Sequence, residues 1–247
     1  MQNASRKRGF FMGNFTTFTS ESVCAGHPDK ICDSISDAIL DEVLKQDPKG
    51  RVAIETIATR NRLIIAGEIT SSAKLNYKKI ASERIKYLGY DDHDLNFSSK
   101  SAIDVYIHEQ SPEIAAGVHP KGAGDQGMMF GYACTETASL MPLPISIAHR
   151  LAQEIDEVRE SKTLSYLRPD GKTQVTAEYK NGKAYKIRQI VIAVPHKENV
   201  RLAQVKNDIY KFVVKPILEE FGYEIKPKDL IVNGTGIWHI SGPAVDS

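Results

Sequence analysis

Several stretches of the chain carry apolar residues at the spacing of an α-helix. The first follows His27, ends at Asp47-Pro48 and has an apolar residue at every fourth position, namely Ile31, Ile35, Ile39 and Val43. Such a stripe predicts an amphipathic helix with one buried face. Pro28 suits the first helical position, and Asp29 suits the positive end of the helix dipole. Further helices are predicted at Leu75–Leu88, from Pro144 through Val158, and at Asn199–Glu220.

Strand-like segments with turn residues at their junctions lie between these helices. Val52–Thr59 and Leu63–Thr70 are joined by the short link Arg60-Asn61-Arg62, which predicts a hairpin. Asn181-Gly182, a strong two-residue turn signal, predicts a second hairpin with strands Gln174–Tyr179 and Ala184–Val194. Single strands are predicted at Ser101–Ile107, Leu230–Asn233 and Ile237–Ile240. Because helix and hairpin recur in both halves, we expect an α+β fold built from a duplicated unit.

The composition argues against several classes of function. The 247 residues are 41% apolar and 26% charged, as in soluble globular proteins, and 32 basic residues balance 31 acidic ones. This balance gives no electrostatic case for a nucleic acid or an anionic membrane as the main partner. The three cysteines lack any Cys-x-x-C spacing, so we expect reduced thiols and a cytoplasmic protein. No apolar run approaches the roughly 20 residues of a membrane-spanning helix.

Two segments show no periodicity. Residues 1–15 carry Arg6, Lys7 and Arg8 but no long apolar run, so a secretory signal is not expected. A disordered extension is the first interpretation, and an organelle transit peptide is the alternative. The stretch from Gln110 to Gly127 is rich in glycine, proline and alanine. It predicts a long loop, and loops of this length are usually functional.

The first segment with candidate chemistry is Gly26-His27-Pro28-Asp29-Lys30. Glycine permits a tight turn, and proline then begins a helix whose unpaired N–H groups attract anions. His27 and Lys30 add donors for phosphate, and Asp29 adds an oxygen ligand that suits Mg²⁺. A capped surface helix without a ligand explains the same five residues.

Two further segments combine glycine with charged side chains. The segment Gly122-Ala123-Gly124-Asp125-Gln126-Gly127-Met128-Met129-Phe130-Gly131-Tyr132 has three glycines in its first six residues, which allows the backbone to approach a ligand closely. The segment Leu167-Arg168-Pro169-Asp170-Gly171-Lys172 contains Pro-Asp-Gly. Each of these three residue types favours a β-turn for a known physical reason. A plain glycine-rich loop and a plain turn remain the alternatives for these two segments.

In this order the three segments resemble the S-adenosylmethionine synthetase family, and the resemblance runs from about Phe18 to Ser247. It implies an α+β fold of three similar, pseudo-threefold related domains with mixed sheets, of which this chain holds two at most. The boundaries expected are 1–15 for the extension, 16–113 for the N-terminal domain and 114–240 for the central domain. Residues 241–247 would begin a C-terminal domain, so an incomplete copy is expected.

The resemblance also implies a reaction. In this family the sulfur of L-methionine attacks C5′ of ATP and expels triphosphate, which is hydrolysed to phosphate and pyrophosphate. It implies two Mg²⁺ ions in each site, a K⁺ ion, and a homodimer or dimer of dimers with active sites between subunits.

Individual residues match the family pattern one at a time. The matching residues are His27 and Lys172 for catalysis; His27, Asp170, Gly171, Lys172, Ile237, Trp238 and Asp246 for ATP; Glu68, Gln110 and Asp246 for methionine; Asp125 in the active-site loop; Asp29 for Mg²⁺; and Glu55 for K⁺. For Glu55, Glu68, Gln110 and Asp246, a surface or salt-bridge role is the simpler alternative on sequence alone.

The chain departs from the family pattern near its end. Asn233-Gly234-Thr235-Gly236-Ile237-Trp238-His239-Ile240 lies where many relatives read Pro-Thr-Gly-Arg-Phe-Val-Ile. Trp238 falls on the aromatic position that stacks on adenine, whereas Ile237 replaces an arginine and lacks its guanidinium. Further family cations would follow Ser247. Two hypotheses therefore stay open, a methionine adenosyltransferase and a catalytically inactive regulatory or interaction subunit of the same family.

Overall fold

The computed structural model describes residues 15–91, 95–109 and 127–245. Its helices are α1 (Pro28–Gln46), α2 (Tyr77–Tyr87), α3 (Leu143–Glu160), α4 (Leu202–Ile209) and α5 (Lys215–Phe221). Its strands are β1 (Phe15–Val23), β2 (Arg51–Thr59), β3 (Arg62–Thr70), β4 (Ala102–His108), β5 (Lys172–Lys180), β6 (Lys183–Ala193) and β7 (Leu230–Val232). Residues 1–14, 92–94, 110–126 and 246–247 lie outside this description.

The same order of elements occurs twice in the described part of the chain. In each unit a long helix precedes an antiparallel hairpin, and a helical segment then leads to a strand parallel to the second hairpin strand. The first unit comprises α1, β2, β3, α2 and β4, and the second comprises α3, β5, β6, α4, α5 and β7. The prediction of an α+β fold with a repeated unit is confirmed.

Each unit has its own apolar core. The residues of the predicted stripe on α1 are fully buried against one face of β2 and β3; they are Ile31, Ile35, Ile39 and Val43. Helix α3 covers the second sheet in the same way, with Ile147, Leu151 and Ile155 fully or almost fully buried. Each such side chain contributes about 1.5–3 kcal/mol relative to its exposed state.

Strand β1 lies in the sheet of the second unit, although it precedes the first unit in sequence. It pairs antiparallel with β5, from Phe15 opposite Lys180 to Val23 opposite Lys172. The second sheet therefore has the order β1-β5-β6-β7, and the first sheet has the order β2-β3-β4. This strand, which the apolar pattern does not predict, ties the first residues of the described chain to its second half.

Two predicted elements differ from the structure. The segment Ile237–Ile240 is not a strand, and the prediction was wrong because an apolar pattern cannot show whether a partner strand is available. The last predicted helix begins at Leu202 rather than Asn199 and contains a π-helical turn at Tyr210–Val214. This turn precedes Pro216, which has no N–H for the regular helical bond.

None of the helices in the described ranges is both long enough and apolar enough to cross a membrane.

Candidate active site

Several strand ends meet at one end of the second sheet. Val23, the last residue of β1, lies opposite Lys172, the first residue of β5, and Lys172 lies opposite Ala193, the last residue of β6. Strand β7 runs parallel to β6 and ends beside it at Val232. The segments that adjoin these ends, which include the predicted His27 and Asp170–Lys172, are therefore brought together.

His27 caps helix α1 at this end of the sheet. The side chain is buried, and its Nδ1 accepts a hydrogen bond of 3.3 Å from the backbone N–H of Asp29. In a neutral ring this bond places the proton on Nε2. The Asp29 carboxylate lies 3.7 Å from Nδ1, and its side chain is 86% exposed. The helix start thus presents a histidine and an accessible carboxylate close to its unpaired N–H groups.

The turn before His27 is packed directly on the Pro169–Gly171 segment. The Cys24 N–H donates to the Gly171 carbonyl at 2.9 Å, and the His27 N–H donates to the Cys24 carbonyl at 3.0 Å. A Cβ atom on Gly26 would lie only 2.0 Å from the Pro169 carbonyl oxygen. Glycine is required here for close approach, and it brings two of the predicted motifs into contact.

Asp170 is completely buried, and its carboxylate binds backbone groups. Oδ1 accepts from the Gly171 N–H at 2.7 Å, and Oδ2 accepts from the Gly242 N–H at 2.9 Å. Tyr90, also buried, donates its hydroxyl to the Gly26 carbonyl and lies against Gly242. Asp170 and Tyr90 therefore join the two predicted motifs to the segment that follows Trp238.

Helix α3 supplies a carboxylate beneath the same turn. Asp156 Oδ2 accepts from the Ala25 N–H at 2.8 Å, and Oδ1 accepts from Arg159 at 3.3 Å. Burial raises the pKa of the Asp156 carboxyl, while these two partners oppose the rise. Sequence reasoning did not identify Tyr90, Asp156 or Arg159, because none of them stands in a recognisable motif.

Cys24 is buried and unsuited to nucleophilic chemistry. Burial, followed by the negative charges of Asp156 and Asp170, raises the pKa of its thiol well above the ordinary value. Its Sγ donates weakly to the Ala152 carbonyl, at 3.6 Å. A Cβ atom on Gly171 would lie 2.6 Å from this sulfur, so Cys24 helps to fix the backbone beside Lys172.

Lys172 and Trp238 lie at the same end of the sheet. Lys172 is half-buried at the start of β5, between the ends of β1 and β6. Trp238 is also half-buried, and its carbonyl accepts from the His196 N–H at 2.9 Å just beyond β6. Its neighbour Ile237 is 67% exposed. The structure thus groups the His27, Asp170–Lys172 and Trp238 segments.

Glu55 and Glu68 lie elsewhere, on the first sheet. Their neighbours Ile54, Ile65 and Ile69 face the core beneath α1. Because side chains alternate along strands, Glu55 and Glu68 extend from the opposite, outer face. Glu68 Oε1 is 3.3 Å from His108 Nε2 on the neighbouring strand. Within one chain these two glutamates are therefore on the other side of the sheet from α1.

Three predicted site residues lie outside the described residues, namely Gln110, Asp125 and Asp246. In the part that is described, no three His, Cys, Asp or Glu side chains come close enough to hold a metal ion together. Asp29 and Glu55 each offer a single carboxylate. One carboxylate suits Mg²⁺, which usually retains several waters and takes its other ligands from substrate phosphates.

Comparisons with known proteins show the family to which the chain belongs. The model of the N-terminal domain of S-adenosylmethionine synthetase matches residues 15–112, and that of the central domain matches residues 120–238. The S-adenosylmethionine synthases of Brachyspira hyodysenteriae, Prochlorococcus marinus and Trichormus variabilis are 47%, 46% and 45% identical over 243, 256 and 257 residues. Each alignment covers 93% of this chain and 61% of the relative, so the chain spans about three fifths of their length. By these matches and by its repeated α+β units, the chain belongs to the S-adenosylmethionine synthetase family of methionine adenosyltransferases.

Proposed function

We propose that this chain provides the ATP-binding part of an enzyme that forms S-adenosylmethionine from ATP and L-methionine. The observation that carries the proposal is the meeting of the His27, Gly171–Lys172 and Trp238 segments at one end of the second sheet. These segments combine donors for phosphate with an aromatic ring for a base, which are the two parts of a nucleotide.

The chemistry needs little acid–base assistance. A thioether sulfur has no proton to lose, so attack on C5′ of ATP requires no general base. The barrier lies in alignment of sulfur with C5′ and in the negative charge that develops on the departing triphosphate. His27 and Lys172 would donate to these phosphates, and Asp29 would hold Mg²⁺, which neutralises charge on the leaving oxygens. Trp238 would stack on adenine.

The buried Asp170 has a distinct part in this proposal. Because its carboxylate accepts from the Gly171 and Gly242 N–H groups, its contribution to ATP binding would come from its backbone and from the shape of the turn. The side chain of Ile237 provides no cation, so any contact with the nucleotide would be apolar or through its backbone. Asp246 would complete the site from outside the described residues.

Methionine and K⁺ would be bound on the outer face of the first sheet. Glu68, with Gln110, would bind the amino acid, and Glu55 would be a K⁺ ligand. This face also exposes Ile57 and Tyr106, which are 62% and 64% exposed. The apolar residues among the glutamates support a homodimer or dimer of dimers in which each site uses two subunits, and Asp125 would lie in a loop over it.

The same outer face supports a second candidate function. A chain that presents an apolar, acidic sheet face without completing a site itself would suit a catalytically inactive subunit that pairs with an active partner. For either function we place the protein in the cytoplasm, where the three free cysteines Cys24, Cys32 and Cys134 would stay reduced.

Product analysis tests the proposed reaction. The enzyme that contains this chain should release phosphate and pyrophosphate from ATP only when both Mg²⁺ and L-methionine are present, together with an equal amount of S-adenosylmethionine. Omission of either one is the control. ADP or AMP formed without methionine as the main product would exclude the proposed mechanism.

A further inference from the structure

The residues around Trp238 are held in place without strand pairing. Gly236, two residues earlier, has a φ of +110°, a conformation that favours glycine and interrupts a regular strand. The segment Ile237–Ile240 nevertheless lies beside the residues that follow β6, where His196 contacts two of its residues in succession. The position of Trp238 therefore depends on these contacts.

His196 binds this segment through both of its backbone polar groups. Its N–H donates to the Trp238 carbonyl at 2.9 Å, and its carbonyl lies 2.8 Å from Nδ1 of His239. A carbonyl oxygen can only accept, so Nδ1 of His239 must carry the proton in this bond. The His239 side chain thus replaces the backbone donor that a regular strand would have supplied.

Packing of the two rings supports this arrangement. The rings of His196 and His239 meet edge to face, with centroids 4.9 Å apart and an interplanar angle of 81°. His196 is completely buried, and its own Nδ1 is 3.0 Å from the Lys197 carbonyl, which fixes its orientation. His239 is therefore attached to a rigid group by a hydrogen bond and by ring contact.

We propose that His239 is a positioning residue that holds the Trp238 ring in place for a nucleotide base. The proposal rests on the proposed function, because it assigns Trp238 to adenine stacking. The His239 hydrogen bond is the second of two successive contacts between His196 and this segment. Without it, the segment after Gly236 would keep the bond from His196 to the Trp238 carbonyl but lose the next one.

Trp238 is the single tryptophan of the chain, so its fluorescence reports on this segment directly. Two variants of the 247-residue chain separate the hydrogen bond from the ring contact. His239→Phe keeps a ring but removes the donor, whereas His239→Asn keeps an N–H donor near the Nδ1 position but removes the ring. Far-UV circular dichroism confirms that each variant is folded before it is compared.

In the free protein we expect acrylamide to quench Trp238 more strongly in His239→Phe than in the wild type, and fluorescence anisotropy to fall. His239→Asn should restore most of both values. In titrations with ATP and Mg²⁺, followed by the same fluorescence, His239→Phe should bind about fivefold more weakly, the loss of one hydrogen bond. His239→Asn should bind within about twofold of the wild type.

Quenching, anisotropy and ATP affinity that match the wild type in His239→Phe would overturn the proposal, as would an Asn variant that behaves no better than Phe. The experiment also distinguishes failure of the His239 proposal from failure of the proposed stacking of Trp238 on adenine. In that case Trp238 fluorescence of the wild type would not respond to ATP, while the difference between the Phe and Asn variants would persist in the free protein.

Discussion

Lys172 is the residue on which the proposed phosphate chemistry depends most directly. It begins β5 between the ends of β1 and β6, where its ammonium group would act on the departing triphosphate. We expect Lys172→Met to lower the turnover number of the enzyme about a hundredfold, equivalent to roughly 3 kcal/mol, because this contact strengthens as charge develops. The Michaelis constant for methionine should change little. Steady-state kinetics with both substrates measure the two effects separately.

Lys186→Met is a suitable control for that experiment. Lys186 lies on β6 with a side chain that is 54% exposed, and it forms a surface ion pair with Glu178 at 3.3 Å. Its replacement should leave turnover unchanged, because Lys186 lies near the hairpin turn, at the other end of β6 from Ala193, the residue opposite Lys172. A Lys172→Met enzyme with normal turnover and only a raised Michaelis constant for methionine would contradict the proposed role.

Asp47 gives a prediction about stability in acid. Its carboxylate, just after α1, accepts from the Ser72 N–H and the Ser71 hydroxyl, each at 2.9 Å, and these bonds join the helix to the end of β3. They lower the pKa of Asp47 from 3.8 to about 2, with the Ser72 N–H as the largest cause. The unfolded chain therefore binds this proton first, and stability falls as the pH drops from 3.8 towards 2.

We expect the free energy of unfolding of Asp47→Asn to depend less on pH in this window than that of the wild type. Urea denaturation at successive pH values measures both curves. Asp37→Asn, on an exposed face of the same helix, is the control and should follow the wild type. Parallel curves for the wild type and Asp47→Asn would show that the hydrogen bonds do not favour the ionised form.

The residues that we propose to bind ligands stand in recognisable sequence motifs, whereas the residues that hold them in place do not. His27, Gly171 and Lys172 stand in recognisable short motifs, and the structure brings these motifs together. Tyr90, shortly after α2, and Asp156 on α3 support the same turn, but no motif surrounds them. The only signal for Asp156 was a charged residue beside the apolar stripe of a helix, which is common on surfaces and therefore not specific.

At the scale of elements, the turn between β1 and α1 depends on Gly26. The conflict of an added Cβ is with the backbone of Pro169, at 2.0 Å from its oxygen, so a change of side-chain rotamer cannot relieve it. We expect Gly26→Ala to reduce the free energy of unfolding by about 1–3 kcal/mol, as overpacking usually does. ATP binding should weaken as well, because the start of α1 moves away from Gly171.

Gly131→Ala is the matched control, since a Cβ there would meet nothing within 4 Å. Thermal and urea denaturation of both variants make this comparison, and the ATP affinity of Gly26→Ala is compared with that of the wild type by Trp238 fluorescence. If Gly26→Ala were as stable as Gly131→Ala, the contact between the turn and Pro169 would not be the constraint described above.

The elements that sequence predicted well were those whose signals are local. Helix α1 begins at Pro28 and its apolar stripe is buried as expected, because capping and periodicity act within one turn of helix. Strand β1 and the segment Ile237–Ile240 could not be judged in this way. The first is defined by its pairing with β5, and the second lacks a partner strand and relies on His196 and His239 instead.

For the whole molecule, the separation of the two sets of site residues has a direct consequence. The residues proposed to bind phosphate adjoin the second sheet, whereas Glu55 and Glu68 extend from the outer face of the first. A monomer of the 247-residue chain therefore cannot bring both sets to the same substrates, and we expect it to form no measurable S-adenosylmethionine from ATP and methionine. The absence of both glutamates from the site, at about 3 kcal/mol for each charged contact, corresponds to roughly a ten-thousandfold lower rate.

The assay uses chain freed of the host's own synthetase, first alone and then mixed with a complete relative. Activity of the mixture above that of the relative alone would support a catalytic role for this chain. A mixture in which only the regulation of the relative changes would support the inactive-subunit hypothesis. Turnover of the chain alone within about tenfold of a complete relative would disprove the expectation of inactivity.

The placement of β1 in the second sheet also affects how the chain folds during its synthesis. Thr19 of β1 and Thr176 of β5, whose hydroxyls lie 2.9 Å apart, are separated by 157 residues. At about 5–20 residues per second, roughly 10–30 s pass on the ribosome between their appearances. The first unit can form its core in that interval, whereas β1 remains unpaired until β5 has been synthesised. A bulky fusion at the amino terminus would therefore delay completion of the second unit more than that of the first.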